Sequence, residues 1–121
     1  MKTFNLDDMK GGWFVGDFVP TTLRSEECEV ACKRYKAGDA EERHVHKVAT
    51  EITLVVSGRV RMNGVECAAN TIVLLEPGVS SDFQALDDAV IIAVKLPSVK
   101  GDKYAVTEED SGLKVETHDE D

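Results

Sequence analysis

Residues 38–58 read GDAEERHVHKVATEITLVVSG and contain two histidines separated by one residue, followed by a glutamate. His44 and His46 occupy positions i and i+2, so on a β-strand both imidazoles leave the same face. Glu51 begins the next predicted strand, from which it can reach the same point. The glycines that bound the stretch are typical of turns. The pattern therefore predicts two neighbouring strands that bring three metal-ligating side chains together.

The predicted donor set suits a divalent transition metal. Two neutral imidazoles and one carboxylate leave coordination positions open on an ion such as Fe(II), Mn, Ni or Zn. Charged residues surround the three donors, as they would on a solvated surface hairpin, which is the alternative. Solvation gives no reason for the two histidines to share a face. The sequence therefore favours one metal ion bound by His44, His46 and Glu51.

Short segments rich in β-branched residues, separated by turn formers, fill most of the chain. The predicted strands are Trp13–Val19, Cys28–Tyr35, Glu51–Val56, Arg59–Met62, Val65–Ala68, Thr71–Leu75, Asp82–Leu86 and Ala89–Leu96. Asn63-Gly64 predicts a type I′ hairpin, because both residues accept positive φ. Helix is limited to one turn over Asn5–Met9, with Asn5 as its cap. This series of short strands predicts an all-β sandwich or barrel.

The spacing in this stretch resembles a known family motif. The pattern G-x5-H-x-H-x4-E-x6-G is matched in full, with Gly38, His44, His46, Glu51 and Gly58 at its fixed positions. It is similar to the first motif of the cupins. The resemblance implies a single-domain cupin-type jelly-roll β-barrel, also called a double-stranded β-helix, with minimal helix. The stretches KRYKAGD, SGRVRMNG and KLPSVKGDKY are similar to those of small single-domain cupins and indicate no substrate.

The second cupin motif is resembled less completely, by NTIVLLEPGVSSDF. In the family, this motif leads through a Pro-Gly turn to a histidine that supplies the last metal ligand. Aligning Pro77-Gly78 with the turn and Phe83 with the family's aromatic residue puts Ser81 at the ligand position. Because serine is a poor metal ligand, the resemblance implies only three of the usual four protein ligands.

Strand parity predicts which side chains line the cavity of such a barrel. Side chains alternate between the two faces along a strand. If the two histidines point inward, every second residue on the neighbouring strands also points inward. The cavity and substrate-binding candidates are Tyr35, Thr53, Ser81 and Phe83. Tyr35 is included because a phenol can pack against apolar walls while its hydroxyl contacts a ligand. A bulge that shifted the register by one residue would instead turn Asp82 or Gln84 inward as a fourth ligand.

The run AVIIAVKL, residues 89–96, is apolar almost throughout. Such a strand is covered on both faces within one chain or lies at a contact between subunits. Cupins commonly pair through such strands, so the resemblance implies a homodimer. The residues alone are equally compatible with a buried central strand of a monomer.

Composition and charge restrict the partners of this chain. The 121 residues, of which 42% are hydrophobic, suit one domain over residues 1–107. Seven of the 23 acidic residues fall in residues 108–121, against one lysine there, which predicts a mobile acidic tail. The net charge of -9 and the lack of a basic cluster argue against nucleic acid as a partner.

The surroundings of the protein are predicted from segments that the sequence lacks. No apolar stretch approaches the about 20 residues that span a bilayer, so no membrane association is expected. The N-terminus lacks the apolar core of a secretory signal, which predicts a cytoplasmic protein. Three cysteines, an odd number, then predict reduced thiols.

Function is predicted to centre on the three donors. The leading interpretation is a metal-dependent enzyme acting on a small-molecule ligand, of oxygenase rather than hydrolytic type, as the resemblance implies. One alternative is a noncatalytic module that binds a small metabolite or sugar. Another is a metal-free sugar isomerase that uses His44 or His46 as a general base. The sequence has no nucleophile arrangement and no nucleotide-binding motif, so catalytic residues and organic cofactors stay unassigned.

Overall fold

The computed structural model describes residues 1–106 and the backbone of residues 115–117. A 3-10 turn, Leu6–Asp8, is capped as predicted by Asn5, whose side-chain oxygen accepts the N–H of Asp7 at 2.8 Å. The strands are β1 Trp13–Gly16, β2 Leu23–Arg24, β3 Glu29–Tyr35, β4 Ala40–Val45, β5 Thr50–Ser57, β6 Val60–Met62, β7 Val65–Cys67, β8 Ile72–Leu75, β9 Ser81–Ala85, β10 Ala89–Leu96, β11 Tyr104–Val106 and β12 Val115–Thr117. The prediction of an all-β fold with minimal helix is confirmed. In the described part of the chain, no helix is long and apolar enough to cross a membrane.

The strands form two six-stranded sheets. Sheet A has the order β2-β1-β3-β10-β5-β8, and sheet B has the order β12-β11-β4-β9-β6-β7. Neighbouring strands are antiparallel, except that β1 and β2 are parallel. From β3 to β11 the chain passes back and forth between the sheets, as in a jelly-roll barrel. Strands β2, β11 and β12 have no counterpart among the predicted strands.

The apolar core fills one end of the space between the sheets. Buried side chains of both sheets form it: Val55, Val60, Met62, Cys67, Leu75, Phe83, Ala85, Ala89 and Ile91. Burial of each larger side chain stabilises the fold by about 1.5–3 kcal/mol. Val55 lies opposite Ile91 in the register of β5 and β10, whereas Glu51 lies opposite Lys95 on the same two strands. The barrel therefore has an apolar end and a polar end.

Burial along β5 follows the predicted alternation. Thr53 is buried, whereas Ile52 and Leu54 are half-buried and Val56 is exposed on the opposite face. Glu51 shares its parity with Thr53, so its side chain leaves the strand toward the barrel interior. The strand thus directs one predicted metal ligand, Glu51, to the same side as buried Thr53.

Two glycines of the first motif occupy turns, as predicted, and both have positive φ. Gly38 has a φ of 96° and precedes β4. Gly58 has a φ of 81°, and a Cβ there would lie 2.2 Å from the backbone oxygen of Asp88. Only glycine fits such a close approach. Between β6 and β7, Asn63 and Gly64 have φ values of 51° and 78°, which confirms the predicted type I′ turn.

One face of sheet A carries apolar side chains that point away from the barrel. Strand β10 lies in the middle of this sheet, and its Ala93 is buried while Ile92 and Val94 are half-buried on the outer side. On β8, Ile72 and Leu74 are 65% and 59% exposed. We call this surface the outer face of sheet A; its two cross-strand rows contain Val30, Cys32, Ile52, Leu54, Ile72, Leu74, Ile92 and Val94.

The predicted acidic tail, residues 108–121, lies mostly outside the described residues. Within it, Val115–Thr117 forms strand β12, which pairs with β11 in sheet B. Residue 107, the predicted end of the domain, is likewise outside the described part of the chain. The three cysteines, Cys28, Cys32 and Cys67, are free thiols.

Candidate metal centre

His44, His46 and Glu51 converge at the polar end of the barrel. His44 is the next-to-last residue of β4, His46 directly follows that strand, and Glu51 is the second residue of β5. Their ligand atoms all lie within 4.8 Å of one another, and Nε2 of His46 lies 2.9 Å from Oε1 of Glu51. Two donors at right angles around an ion, with bonds of about 2.1 Å, are about 3.0 Å apart. The donor set therefore fits one divalent ion, and the described residues contain no second such group of three.

Backbone carbonyls fix the protonation of both imidazoles. Nδ1 of His44 lies 3.1 Å from the carbonyl oxygen of Glu42, and Nδ1 of His46 is hydrogen-bonded to the carbonyl oxygen of Asp102. Because a carbonyl oxygen can only accept, Nδ1 carries the hydrogen in each ring. This leaves Nε2 of each ring as the nitrogen for a metal ion. At His46 that nitrogen lies 2.9 Å from Oε1 of Glu51, a contact that holds a hydrogen which a metal ion would replace. Both histidines are thus set to ligate through Nε2.

Asp102 also holds the turn that joins β4 to β5. Its buried carboxylate accepts the backbone N–H groups of residues 47–49 at 2.8, 3.1 and 2.9 Å. That turn separates His46 from Glu51 in the sequence. The carboxylate therefore fixes the spacing between His46 and Glu51, while the backbone carbonyl of the same residue orients His46.

The electrostatic surroundings favour the charge states that bind metal. Burial alone would raise the pKa of Glu51, but the hydrogen bond and charge of His46, together with Lys95, outweigh it and lower that pKa. The pKa of His44 is lowered chiefly by burial, and the charge of Lys103 adds to the effect. Glu51 is therefore ionised and His44 neutral at neutral pH.

Ser81 lies where the resemblance places the fourth ligand, directly opposite His44 in the register of β4 and β9. Its side chain is buried, and its hydroxyl donates to the carbonyl oxygen of Asp82 at 2.7 Å. The carboxylate of Asp82 accepts the N–H of Asn63 at 2.7 Å, and Gln84 is exposed. The register of β9 is therefore the unshifted one, and neither Asp82 nor Gln84 joins the donors.

The four predicted cavity residues line one small cavity next to the donors. Tyr35, Thr53, Ser81 and Phe83 surround about 30 Å³, room for about two water molecules. The ring centroids of Tyr35 and Phe83 are 4.6 Å apart. The hydroxyl of Tyr35 donates to Oε2 of Glu41 at 2.6 Å. Burial and then the charge of Glu41 raise the pKa of Tyr35, so the phenol stays protonated.

A larger cavity of about 170 Å³ adjoins the same donors. Its walls include five side chains that strand parity and motifs did not single out: Trp13, Lys33, Glu41, Lys95 and Lys103. The sequence could have identified two of them. Lys33 is two residues from Tyr35 on the same strand and so faces the same side, and Lys95 is the single charged residue of AVIIAVKL. Glu41 was hidden by the irregular register between it and His44. A wider groove of about 390 Å³ between the 3-10 turn and β3 is lined by none of the three donors.

Comparison with solved structures shows which class of fold this is. The chain is similar to an uncharacterized conserved protein with a double-stranded β-helix domain from Klebsiella pneumoniae, with a TM-score of 0.60 and 18% sequence identity, covering 80% of this chain and 85% of that one. It is also similar to an RmlC-like cupin from Shewanella frigidimarina, with a TM-score of 0.56 and 19% identity over 60% of this chain and 68% of that one. A third similar structure is a sugar phosphate isomerase from a cupin superfamily of Silicibacter pomeroyi, with a TM-score of 0.57 and 17% identity over 65% of this chain and 55% of that one.

These similarities define a double-stranded β-helix, and its polar end carries three side chains that could hold a metal ion. The chain has the cupin fold, and the resemblance of its sequence to the cupins is confirmed at the level of fold. Comparison with protein-family models gave no match, and neither did comparison with curated proteins.

Proposed function

We propose that this chain is a metal-dependent enzyme acting on a small molecule, with one divalent transition metal held by His44, His46 and Glu51. The observation that supports it most is the convergence of the donors: one ligand atom from each histidine and one from Glu51 lie within 4.8 Å of one another, and backbone carbonyls hold Nδ1 of both rings. Three protein ligands on an ion with about six coordination positions leave neighbouring positions open for a substrate. Ser81 keeps a further position free of protein ligands.

We further propose that the reaction is of oxygenase type. A 2-His-1-carboxylate site with open positions favours Fe(II), which supplies redox chemistry with dioxygen, whereas Zn or Mn would polarise a carbonyl or acidify water. The side chains around the donors suit such chemistry. Phe83 and the ring of Tyr35 make the walls of the 30 Å³ cavity apolar, and Glu51 supplies one negative charge to hold the ion.

Nitric oxide tests this proposal without a known substrate, because it binds Fe(II) only where a coordination position is open. Protein loaded anaerobically with Fe(II) should give the EPR signal of a high-spin iron–nitrosyl species. We expect the signal in the wild type and in Glu42→Ala, which removes an exposed neighbouring carboxylate. It should disappear in His44→Ala and Glu51→Ala. Binding of Fe(II) without the signal would contradict the oxygenase assignment, and failure to bind any metal would contradict the metal site.

A second candidate, a metal-free isomerase, is favoured by the direct contact between His46 and Glu51. Nε2 and Oε1 at 2.9 Å form a histidine–carboxylate pair, and the nearby neutral His44 is a competent general base. Similarity of fold to a sugar phosphate isomerase is compatible with this candidate. It predicts deuterium incorporation into sugar phosphates by chelator-treated protein in D₂O, lost in His44→Ala. If neither the iron–nitrosyl signal nor deuterium incorporation is found, a noncatalytic binding module is the remaining candidate.

We also propose that the chain forms a homodimer through the outer face of sheet A. Two rows of apolar side chains cross four neighbouring strands there, with Ile72 and Leu74 more than half exposed. Exposed apolar surfaces of this extent mark interaction sites. A sheet face can meet its own copy about a twofold axis, with the same residues contributed by each subunit.

A further inference from the structure

The walls of the 170 Å³ cavity are unusually rich in positive charge. Lys33, Lys95 and Lys103 line it together with Trp13, beside the three metal-ligating side chains. The chain as a whole has a net charge of -9. Three ammonium groups at a cavity that reaches both histidines and Glu51 therefore favour a negatively charged ligand.

Trp13 holds two of these ammonium groups in place. Nζ of Lys33 lies 5.2 Å from the centroid of the indole ring, and Nζ of Lys95 lies 4.8 Å from it. Both distances are within the about 6 Å over which a cation is attracted to an aromatic face. Lys33 and Lys95 come from β3 and β10, which are neighbours in sheet A. The tryptophan thus keeps two otherwise flexible charges at the cavity wall.

Three carboxylates, those of Glu29, Glu41 and Glu51, lie near the three lysines and engage them unequally. Lys95 pairs with buried Glu29, with Nζ 3.1 Å from Oε1. Lys33 lies 3.6 Å from Oε2 of Glu41, an oxygen that also accepts the hydroxyl hydrogen of Tyr35. Among the side chains of residues 1–106, Lys103 has no carboxylate within 4.0 Å. Within residues 1–106, the Lys95 ammonium is therefore paired, the Lys33 ammonium shares its carboxylate with the Tyr35 hydroxyl, and the Lys103 ammonium makes no ion pair.

We propose that the ligand of this site is a small organic anion, bound by its carboxylate or phosphate group between Lys33 and Lys103. This inference rests on the proposed metal-dependent function. A divalent ion would add two positive charges to the site, against the single negative charge of Glu51, and would strengthen the attraction for an anion. The volume is below the about 300–1,000 Å³ of pockets for drug-sized ligands, so the ligand has only a few carbon atoms.

Malonate and malonamide make a matched pair of probes, because they share a carbon skeleton and differ in charge. Each is titrated by calorimetry, at constant ionic strength, into chelator-treated protein and into Zn-loaded protein. We expect malonate to bind about tenfold or more tightly than malonamide in both forms. Inorganic phosphate, titrated in the same way, distinguishes a phosphate-binding site from a carboxylate-binding one.

Single substitutions locate the binding to the cavity. Lys33→Met and Lys103→Met should each weaken malonate binding about tenfold, and Glu41→Gln should strengthen it about threefold by removing a negative charge from the wall. Lys100→Met removes an exposed lysine that does not line the cavity and should have no effect. Lys95 is kept, because its removal would leave the buried carboxylate of Glu29 unpaired.

Equal affinity for malonate and malonamide would overturn the inference, and so would lysine variants that behave like Lys100→Met. If the lysine variants fold poorly, Glu41→Gln decides alone, since its amide oxygen still accepts the Tyr35 hydroxyl. Lysine-dependent malonate binding by a protein that binds no metal would support the anion site and refute the proposed metal enzyme. Metal binding without preference for an anion would support the metal site and refute the anion site.

Discussion

Asp102 and His46, which are 56 residues apart in the sequence, are joined by a hydrogen bond from Nδ1 of the histidine to the backbone carbonyl of the aspartate. The carboxylate of Asp102 accepts the N–H groups of residues 47–49 in the turn that leads to Glu51. One buried residue after β10 therefore sets the orientation of one candidate metal ligand and the position of another.

Removal of this carboxylate should weaken metal binding without touching a ligand. We expect Asp102→Ala to lower metal affinity about 10–100-fold, because the turn and the adjoining imidazole lose their fixed positions. The three released N–H groups should also lower the free energy of unfolding by about 2–3 kcal/mol. Asp102→Asn, which keeps one acceptor oxygen, should lie between. Metal titration and chemical denaturation of the same samples measure the two effects.

Asp88→Asn is the matched control for this pair of variants. The carboxylate of Asp88 accepts the N–H of Ala37 at 2.9 Å, so it also stabilises a turn. It lies at the opposite end of β10 from Lys95, about 23 Å away along the strand. The control should lose some stability and keep its metal affinity. Unchanged metal affinity in folded Asp102→Ala would refute the role assigned to Asp102.

A histidine introduced at position 81 should complete the coordination set. Opposed residues on antiparallel strands have Cβ atoms about 5 Å apart, so Ser81→His brings an imidazole beside His44. We expect at least about tenfold tighter metal binding, measured by competition with a chromogenic chelator, and a loss of stability of about 1–3 kcal/mol from crowding. Gln84→His, on the exposed side of β9, should leave the affinity unchanged. Equal effects of the two substitutions would place the site elsewhere.

The proposed dimer should dissociate when a charge is placed in the outer face of sheet A. Ile92 lies in the middle of that surface, between Cys32 and Leu54 in register. We expect Ile92→Glu to be a folded monomer by light scattering, while the wild type is a dimer, because an unpaired carboxylate would be buried in the interface. Val65→Glu changes an exposed valine of sheet B and should remain dimeric. A monomeric wild type would refute the dimer.

Stability at acid pH should depend on Glu41. Burial acts to raise its pKa, but the charge of Lys33 and the Tyr35 hydrogen bond outweigh it, so the folded pKa lies below 4.5. Glu41 therefore stabilises the fold above pH 4.5, and this contribution is lost as pH falls through the folded pKa. In Glu41→Gln, stability measured by urea denaturation should decline less steeply below that pH. Glu42→Gln, at an exposed site, should follow the wild type.

The sequence predicted those features of the fold that depend on local periodicity. Alternation along β5 and β9 placed Thr53, Ser81 and Phe83 inside the barrel, because a strand with one buried face admits only one register. The glycine spacing around the donors also predicted a turn correctly, because the position of Gly58 excludes any side chain.

The sequence could not predict features that depend on closure of the barrel. Asp102 reaches His46 across 56 residues, and nothing in its neighbours marks it as a turn-holding residue. The irregularity in β4 broke the period-two pattern and hid Glu41 from the cavity list. Strand β11 was missed because its three residues carry too little periodicity by themselves, whereas the equally short β6 and β7 flank the Asn63-Gly64 turn signal.

Metal content of protein purified without an affinity tag tests the site most directly. Wild type, His44→Ala and Glu51→Ala are incubated with Fe(II), Mn, Ni or Zn, freed of unbound ions, and analysed by mass spectrometry of the elements. We expect about one ion per wild-type chain and none in either variant, because each variant removes one of three ligands. A wild type that retains none of the four ions, or variants that keep a full equivalent, would contradict metal binding by His44, His46 and Glu51.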